Sequence, residues 1–323
     1  MTPATITPAG TIPSSGIAIG GNPRGTIPGG TIPGGTIPGG TIPGGTIEID
    51  AIPIGTIASG TPAATMLAVR DRYLAPSLLA PFAYDMACRL SRMSMGPLLE
   101  ICADVGCLTA AMASSMSAGL TMIATDPSAE TVAFASGKPG TARITWQRAD
   151  PAILPFPDAA FGVVTCHFAV AAMPDPVQAF LEARRVMKPG ARFAFSVPGP
   201  IRHNPVAGCL QDAMEDLFPA GPPRFMRHIL HGYADTNAID DDLTAAGFTD
   251  AMYSVVDLPY FAASARDAAL GYCLGTPLRA EIEARAPGEA EPVIRAVTAM
   301  LEARFGSGPI RANMRACFVS AAG

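Results

Sequence analysis

The chain has 323 residues, enough for one large domain or two smaller ones. Apolar residues make up 49% of the chain and charged residues only 15%, so most of its length can contribute to a buried core. The net charge is −5 and no run of Lys or Arg occurs, which argues against nucleic acid or an anionic membrane surface as the main partner.

The cysteines and the N-terminus indicate a cytoplasmic protein. No CxxC pair occurs, and scattered cysteines are typical of reduced thiols rather than of disulfides or a zinc site. No secretory signal is apparent, and Pro and Gly recur too often over residues 25–47 for a membrane helix. We therefore expect neither an integral membrane span nor a bound metal. The cysteines are Cys88, Cys102, Cys107, Cys166, Cys209, Cys273 and Cys317.

Residues 11–60 form ten pentads in one phase, and residues 26–45 are four perfect TIPGG copies. Pro-Gly favours a type II turn, and one Ile in five residues is too little apolar surface to offset the entropy of ordering. We therefore interpret residues 1–60 as a disordered, low-complexity tail. A β-solenoid, or a repeat through which copies of the chain self-associate, is the alternative.

Strands and helices alternate from residue 97 to residue 200, after a lead-in over residues 64–95 that Pro76 and Pro81 divide into two or three short helices. This alternation predicts an α/β domain over residues 61–323 with a doubly wound parallel sheet, which binds ligands at the carboxyl ends of its strands. The predicted strands are PLLEIC, LTMIAT, ARITWQ, FGVVTCHF and ARFAFSV, and the helices between them are CLTAAMASSMSA, SAETVAFAS and DPVQAFLEARRVM.

The remaining residues, 201–323, predict helices and two final strands, AMYSVVDL and MRACFVSA. We expect the helices to form a lid over an enclosed apolar pocket, which suits a small hydrophobic or aromatic molecule better than a protein or nucleic acid. The apolar and aromatic residues of this region could equally be ordinary core. They are Met214, Phe218, Phe225, Met226, Tyr233, Tyr260, Phe261, Tyr272 and Met314.

The first predicted strand and the loop after it read LLEICADVG, a sequence that excludes a dinucleotide enzyme. In the G-x-G-x-x-G pattern of that fold, the three glycine positions fall on Cys102, Asp104 and Cys107.

Several spaced segments resemble class I S-adenosylmethionine-dependent methyltransferases of the type 11 group, which includes ubiquinone and menaquinone methyltransferases. They are LLEICADVG, TDPS, AD, LPFPDAAF, MPDP and RRVMKPGARF, and the resemblance covers roughly residues 70–260. It implies a seven-stranded Rossmann-like sheet with an antiparallel last strand, and S-adenosylmethionine as the cofactor. It also implies methyl transfer to carbon or oxygen of a small hydrophobic or aromatic molecule.

The resemblance also implies the site residues. Glu100 lies beneath the loop, Asp126 with Pro127 binds the ribose, and Asp150 binds the adenine amino group. His167 is the catalytic candidate on the acceptor side. Each also has a structural interpretation, Asp126 as a helix N-cap, Asp150 as a turn residue and His167 as a buried core residue. The residues expected near the methionine end of the donor are Cys102, Ala103, Asp104 and Gly106.

Three positions depart from the family pattern. Cys102 and Asp104 replace loop glycines, and Gly162 replaces an aspartate. A positive φ at Asp104 costs about 1–2 kcal/mol, and its charge next to the donor carboxylate costs about 4 kcal/mol at an effective dielectric of 20. The positive groups of the donor oppose that cost. The alternative function is therefore a catalytically inactive methyltransferase-fold protein that binds or assembles through its repeat, and a structural protein based on the repeat is a third.

Overall fold

The computed structural model describes residues 62–93 and 96–323. The repeat over residues 1–60, and its predicted disorder, lie outside these residues. The division of the chain into a tail and one domain over residues 61–323 stays a prediction.

Seven strands form one sheet, β1 (Leu98–Glu100), β2 (Met122–Asp126), β3 (Thr145–Arg148), β4 (Phe161–His167), β5 (Met187–Pro198), β6 (Thr249–Ala262) and β7 (Ile310–Ala322). Their order is β3-β2-β1-β4-β5-β7-β6. β1 to β5 are parallel, and β7 runs antiparallel between β5 and β6. The predicted doubly wound sheet with an antiparallel last strand is confirmed.

Ten α-helices flank the sheet in the described part of the chain. They are α1 (Pro62–Val69), α2 (Ala80–Leu90), α3 (Cys107–Ser115), α4 (Ala129–Ser136), α5 (Pro176–Val186), α6 (Pro205–Leu217), α7 (Thr236–Ala245), α8 (Ala265–Gly275), α9 (Leu278–Arg285) and α10 (Ala290–Phe305). None of the helices in residues 62–93 and 96–323 is long and apolar enough to cross a membrane.

Alternation along the strands produces two apolar cores, one on each face of the sheet. Leu98 belongs to the core formed with the lead-in helices, α3, α6, α8 and α10, whereas its neighbour Leu99 belongs to the core formed with α5 and α7. In β5, Ala194 faces the first core, and Phe193 and Phe195 face the second. Both faces of the sheet are therefore covered, and the polar groups of the site lie at the strand ends.

The lead-in is one continuous helical path, and the predicted breaks at Pro76 and Pro81 are wrong. Residues Arg70–Leu79 adopt π-helical geometry between α1 and α2, with the Ala80 N–H donating to the Ala75 carbonyl five residues earlier. Pro76 lies inside this segment, and Pro81 is the second residue of α2, which follows the π segment directly. The π segment lies against α8, where Gly275 lets the backbone of Arg70 approach closely.

The first strand is shorter than predicted because the chain turns at Cys102. Its φ of +54° is incompatible with an extended strand, so β1 ends at Glu100. The residues that follow form the loop at the carboxyl end of β1.

Candidate functional site

A cavity of about 540 Å³ lies at the carboxyl ends of β1 to β4. Its walls come from the strand-end loops, from the π segment of the lead-in, from a second, short π-helical segment (Phe225–Leu230) and from the residues just before α9. The lining residues that sequence analysis predicted for the site are Cys102, Ala103, Asp104, Asp126, Pro127, Asp150 and His167. The structure therefore brings together seven of the nine predicted residues at the cavity, and Glu100 and Gly106 are not among the lining residues.

The loop after β1 holds two non-glycine residues in the left-handed region. Cys102 has a φ of +54° and Asp104 a φ of +51°, and Gly106 follows with +77° before α3 begins. Asp104 therefore has the left-handed backbone conformation, which costs a non-glycine residue about 1–2 kcal/mol. Two backbone hydrogen bonds of 2.8 Å stabilise this loop conformation. The Ile101 N–H donates to the Thr165 carbonyl, and the Ala103 N–H donates to the Thr125 carbonyl.

The charge of Asp104 has a partner that sequence analysis missed. Asp104 Oδ1 accepts a hydrogen bond from Nη1 of Arg70, in the π segment of the lead-in. The two side chains are 29% and 17% exposed, respectively, so they are partly shielded from solvent. A cation beside Asp104 reduces the like-charge cost expected for an anionic ligand group at this loop.

Asp126 is the last residue of β2, and its carboxylate connects the loop after β1 to the loop after β2. Its Oδ2 accepts from the Asp104 N–H at 3.1 Å, and its Oδ1 accepts from the Ser128 N–H at 3.0 Å. The N-cap of α4 is Ser128, whose Oγ accepts from the Thr131 N–H, so Asp126 is not the cap. Burial raises the pKa of the Asp126 carboxyl, and the Ser128 hydrogen bond opposes that change.

Asp150 is a turn residue that also lines the cavity, and its role in binding the adenine amino group stays a prediction. Its Oδ1 accepts from the Ala152 N–H at 2.9 Å, which is the local bond of a turn residue. The same exposed residue lines the cavity beyond β3.

Glu100 is buried beneath the loop and does not line the cavity. It is 1% exposed, and its Oε2 accepts from Thr109 Oγ1 at 2.5 Å. Its Oε1 has no hydrogen-bond partner among the described residues. Burial raises the pKa of Glu100 to about 8, with a smaller opposing effect of the Thr109 bond.

His167 lines the cavity with both ring nitrogens engaged. Nδ1 lies 2.7 Å from Ser196 Oγ, and Nε2 lies 3.0 Å from the Leu79 carbonyl, which can only accept a hydrogen bond. This network assigns the proton to Nε2 and leaves Nδ1 to accept from Ser196. Burial lowers the pKa of His167 to about 4, so the ring is neutral at pH 7.

The end of the cavity next to β4 is apolar, and the sequence did not indicate most of its residues. Of the predicted lid residues, Phe225 lines the cavity, whereas Met214, Tyr260 and Met314 are buried in the core. The apolar wall comes instead from the lead-in, from the residues after β4 and from the π-helical segment Phe225–Leu230. Its residues are Leu74, Leu78, Leu79, Phe168, Ala169, Ala171, Ala172, Met173, Ile229 and Leu230.

The two cysteines that line the cavity, Cys102 in the loop after β1 and Cys107 at the start of α3, are poor nucleophiles. Burial raises the pKa of Cys107 to about 12 and that of Cys102 well above its usual range. Across residues 62–93 and 96–323, no group of three or more His, Cys, Asp or Glu residues is placed to hold a metal ion.

Two sequence comparisons match the strand-end region. Residues 103–195 match the family described as a methyltransferase domain. The chain is 36% identical over 99 residues to a demethylmenaquinone methyltransferase of Lactiplantibacillus plantarum, a match that covers 29% of this chain. It spans 42% of the length of that curated relative.

Solved structures share the fold at low sequence identity. Phosphoethanolamine N-methyltransferase 2 of Haemonchus contortus, in complex with S-adenosyl-L-methionine, has a TM-score of 0.50 and 16% identity. The alignment covers 80% of this chain and 57% of that one. The YcgJ protein of Bacillus subtilis has a TM-score of 0.49 and 17% identity, covering 75% of this chain and 98% of that one.

Proposed function

Because residues 103–195 match the methyltransferase domain family, we propose that this chain is a class I S-adenosylmethionine-dependent methyltransferase that transfers a methyl group to a small hydrophobic molecule. The acceptor atom is carbon or oxygen. The observation that carries the proposal is the row of carboxylates along one wall of the cavity, with Asp104, Asp126 and Asp150 following β1, β2 and β3.

The lining suits S-adenosylmethionine in charge and in order. Three carboxylates and one guanidinium line the cavity, which favours a ligand with a positive sulfonium and ammonium. Asp126, with Pro127 beside it, is suited to accept hydrogen bonds from the ribose hydroxyl groups. Asp150 lies one strand further out, where it would accept a hydrogen bond from the adenine amino group. The loop containing Cys102 and Ala103 would hold the methionine portion.

Glu100 and Gly106 would act through the shape of the loop. Neither lines the cavity, but Glu100 anchors α3 through Thr109, and Gly106 precedes that helix with a left-handed φ. We propose that both residues position the donor-binding loop rather than contact the donor.

The bound donor would supply an electrophilic methyl group on a positive sulfur. The apolar wall formed by Leu78, Phe168 and Met173, among others, would bind the acceptor and exclude water. His167 has no free lone pair to take a proton from the acceptor. We therefore assign it to fixing the lead-in beside the acceptor, through the Leu79 carbonyl. Alignment of the two reactants would then provide most of the rate enhancement.

The second candidate is a methyltransferase-fold protein that binds or assembles without catalysis. It is favoured by the two left-handed non-glycine residues, Cys102 and Asp104, which store strain in the loop. The Arg70–Asp104 ion pair favours the first candidate, because the guanidinium reduces the repulsion expected between Asp104 and the carboxylate of the donor.

Replacing Asp126 with alanine is expected to weaken the binding of S-adenosylhomocysteine by about 10- to 100-fold, because hydrogen bonds to a carboxylate contribute about 1.5–3 kcal/mol. Calorimetric titration of the full chain measures this change. Since the Asp126 pKa is raised, affinity for the cationic donor should also fall on acidification earlier than for an ordinary aspartate, and Asp126→Asn should remove that dependence.

Asp158→Ala is the matched control. Asp158 is an exposed aspartate after β3 that pairs with Arg185 and does not line the cavity, so its loss should leave donor affinity unchanged. Transfer of a labelled methyl group to a panel of apolar phenols and enols then tests the reaction. Binding of the donor without transfer to any acceptor would favour the inactive candidate.

A further inference from the structure

Arg70 is held at the cavity wall by two contacts. Its Nε donates to the Gly275 carbonyl at 2.7 Å, and its Nη1 donates to Asp104. The backbone of Arg70 lies so close to Gly275 that a Cβ there would be 3.0 Å from Arg70 Cα. Packing against α8 therefore fixes both the backbone and the guanidinium of Arg70.

Arg70 also has hydrogen-bonding capacity left. A guanidinium has five N–H donors, and the bonds described for Arg70 use two of them. Among the described residues that line the cavity, Arg70 is the one cationic side chain, beside three aspartates and a neutral histidine. An anionic ligand group inside this cavity therefore has Arg70 as its natural partner.

Asp104 offers the complementary charge. Its Oδ1 receives the Arg70 bond, and its Oδ2 takes part in no hydrogen bond described in the structure. Its backbone is fixed by the bond from its N–H to Asp126 and by its left-handed φ. The pair thus presents a fixed cation and a fixed anion side by side on the cavity wall.

We propose that Arg70 and Asp104 form a clamp for the α-amino-acid group of the methyl donor, with Arg70 binding the carboxylate and Asp104 the ammonium. This inference rests on the proposed function. The sheet order β3-β2-β1 places Asp150, Asp126 and Asp104 in sequence along the edge, so adenine and ribose sites at the first two leave the amino-acid end at the third. Asp104 is then a binding residue of this chain, although it stands where the family pattern has glycine.

Calorimetric titration of the full chain with four ligands tests the roles of Arg70 and Asp104 separately. S-Adenosylmethionine and S-adenosylhomocysteine contain both charged groups. Decarboxylated S-adenosylmethionine retains only the ammonium, and 5′-methylthioadenosine contains neither. Arg70→Met should weaken the first two by about 10- to 100-fold, the range expected for charge-assisted hydrogen bonds, and leave the other two unchanged. Asp104→Asn should weaken the three ligands with an ammonium and spare 5′-methylthioadenosine.

Asp71→Asn is the control for a purely structural role. Asp71 is the neighbour of Arg70 and pairs with Lys138, whose Nζ also donates to the Val105 carbonyl of the same loop. It fastens the lead-in without lining the cavity, so its substitution should affect none of the four ligands.

The outcomes are distinct. If Arg70→Met weakens 5′-methylthioadenosine as much as S-adenosylhomocysteine, the pair only shapes the cavity and the clamp is wrong. If Arg70→Met leaves the affinities for 5′-methylthioadenosine and S-adenosylhomocysteine unchanged, the clamp is also wrong, although the chain still binds the donor. If the unmodified chain binds none of the four ligands, the proposed function itself fails. Retained binding of 5′-methylthioadenosine by each variant shows that the variant is folded.

Discussion

Replacing Gly162 with alanine is expected to lower the free energy of unfolding by about 3 kcal/mol, and replacing it with aspartate should cost more. A Cβ at this position would lie 2.5 Å from the Gly96 nitrogen and 2.7 Å from its Cα. The Gly162 N–H also donates to the carbonyl of Pro97, the residue after Gly96, at 2.8 Å, and separating the two glycines would strain this bond. Urea unfolding of the full chain measures the change.

Gly208→Ala is the matched control for this substitution. Gly208 lies inside α6, and a Cβ there would be 3.9 Å from the nearest atom, the Ile201 carbonyl oxygen. Alanine should stabilise that helix by about 0.5–1 kcal/mol. Equal effects of the two substitutions would contradict the close contact between Gly96 and Gly162. A selective loss at Gly162 would explain its departure from the family pattern by packing in this chain.

Glu100 is expected to make the chain less stable as the pH rises from about 4.5 to about 8. Its pKa is 4.5 in an unfolded chain and about 8 when buried, so in this range the folded state binds the extra proton. The stabilisation is complete below pH 4.5 and is lost as the pH rises through the folded pKa. At about 1.4 kcal/mol for each tenfold change in proton affinity, the loss is about 5 kcal/mol.

Glu100→Gln should remove this slope, and the difference in unfolding free energy between the two chains at each pH isolates Glu100 from other titrating groups. Thr109→Val is the second variant. It removes the hydrogen bond that favours the ionised carboxylate, so the slope should extend to higher pH. Parallel pH profiles of the unmodified chain and Glu100→Gln would show that Glu100 is ionised in the folded state.

The fold could be predicted from local patterns. A chain in which buried strands alternate with amphipathic helices can adopt only a few sheet topologies. In a parallel sheet the carboxyl ends of the strands lie at one edge. For that reason Asp126 and Asp150 could be assigned to one site although 23 residues separate them. The left-handed conformation at Asp104 was likewise deducible from the glycine that the family pattern has there.

Contacts between distant segments could not be predicted in this way. Arg70 precedes Asp104 by 34 residues, and nothing in the lead-in distinguishes it from the nearby Arg72. The proline breaks were mispredicted because the chain passes Pro76 in π-helical geometry, which the sequence pattern did not indicate. Apolar residues such as Met214 also gave no sign of whether they would face the cavity or the core.

Calorimetric titration of the full chain with S-adenosylhomocysteine, alongside Asp104→Gly, tests the central claim most directly. A working donor site in which Asp104 takes part predicts micromolar binding by the unmodified chain and weaker binding after Asp104→Gly, because the glycine relieves strain but removes the partner of Arg70. Binding that appears only after Asp104→Gly would contradict the account and identify the loop as disabled.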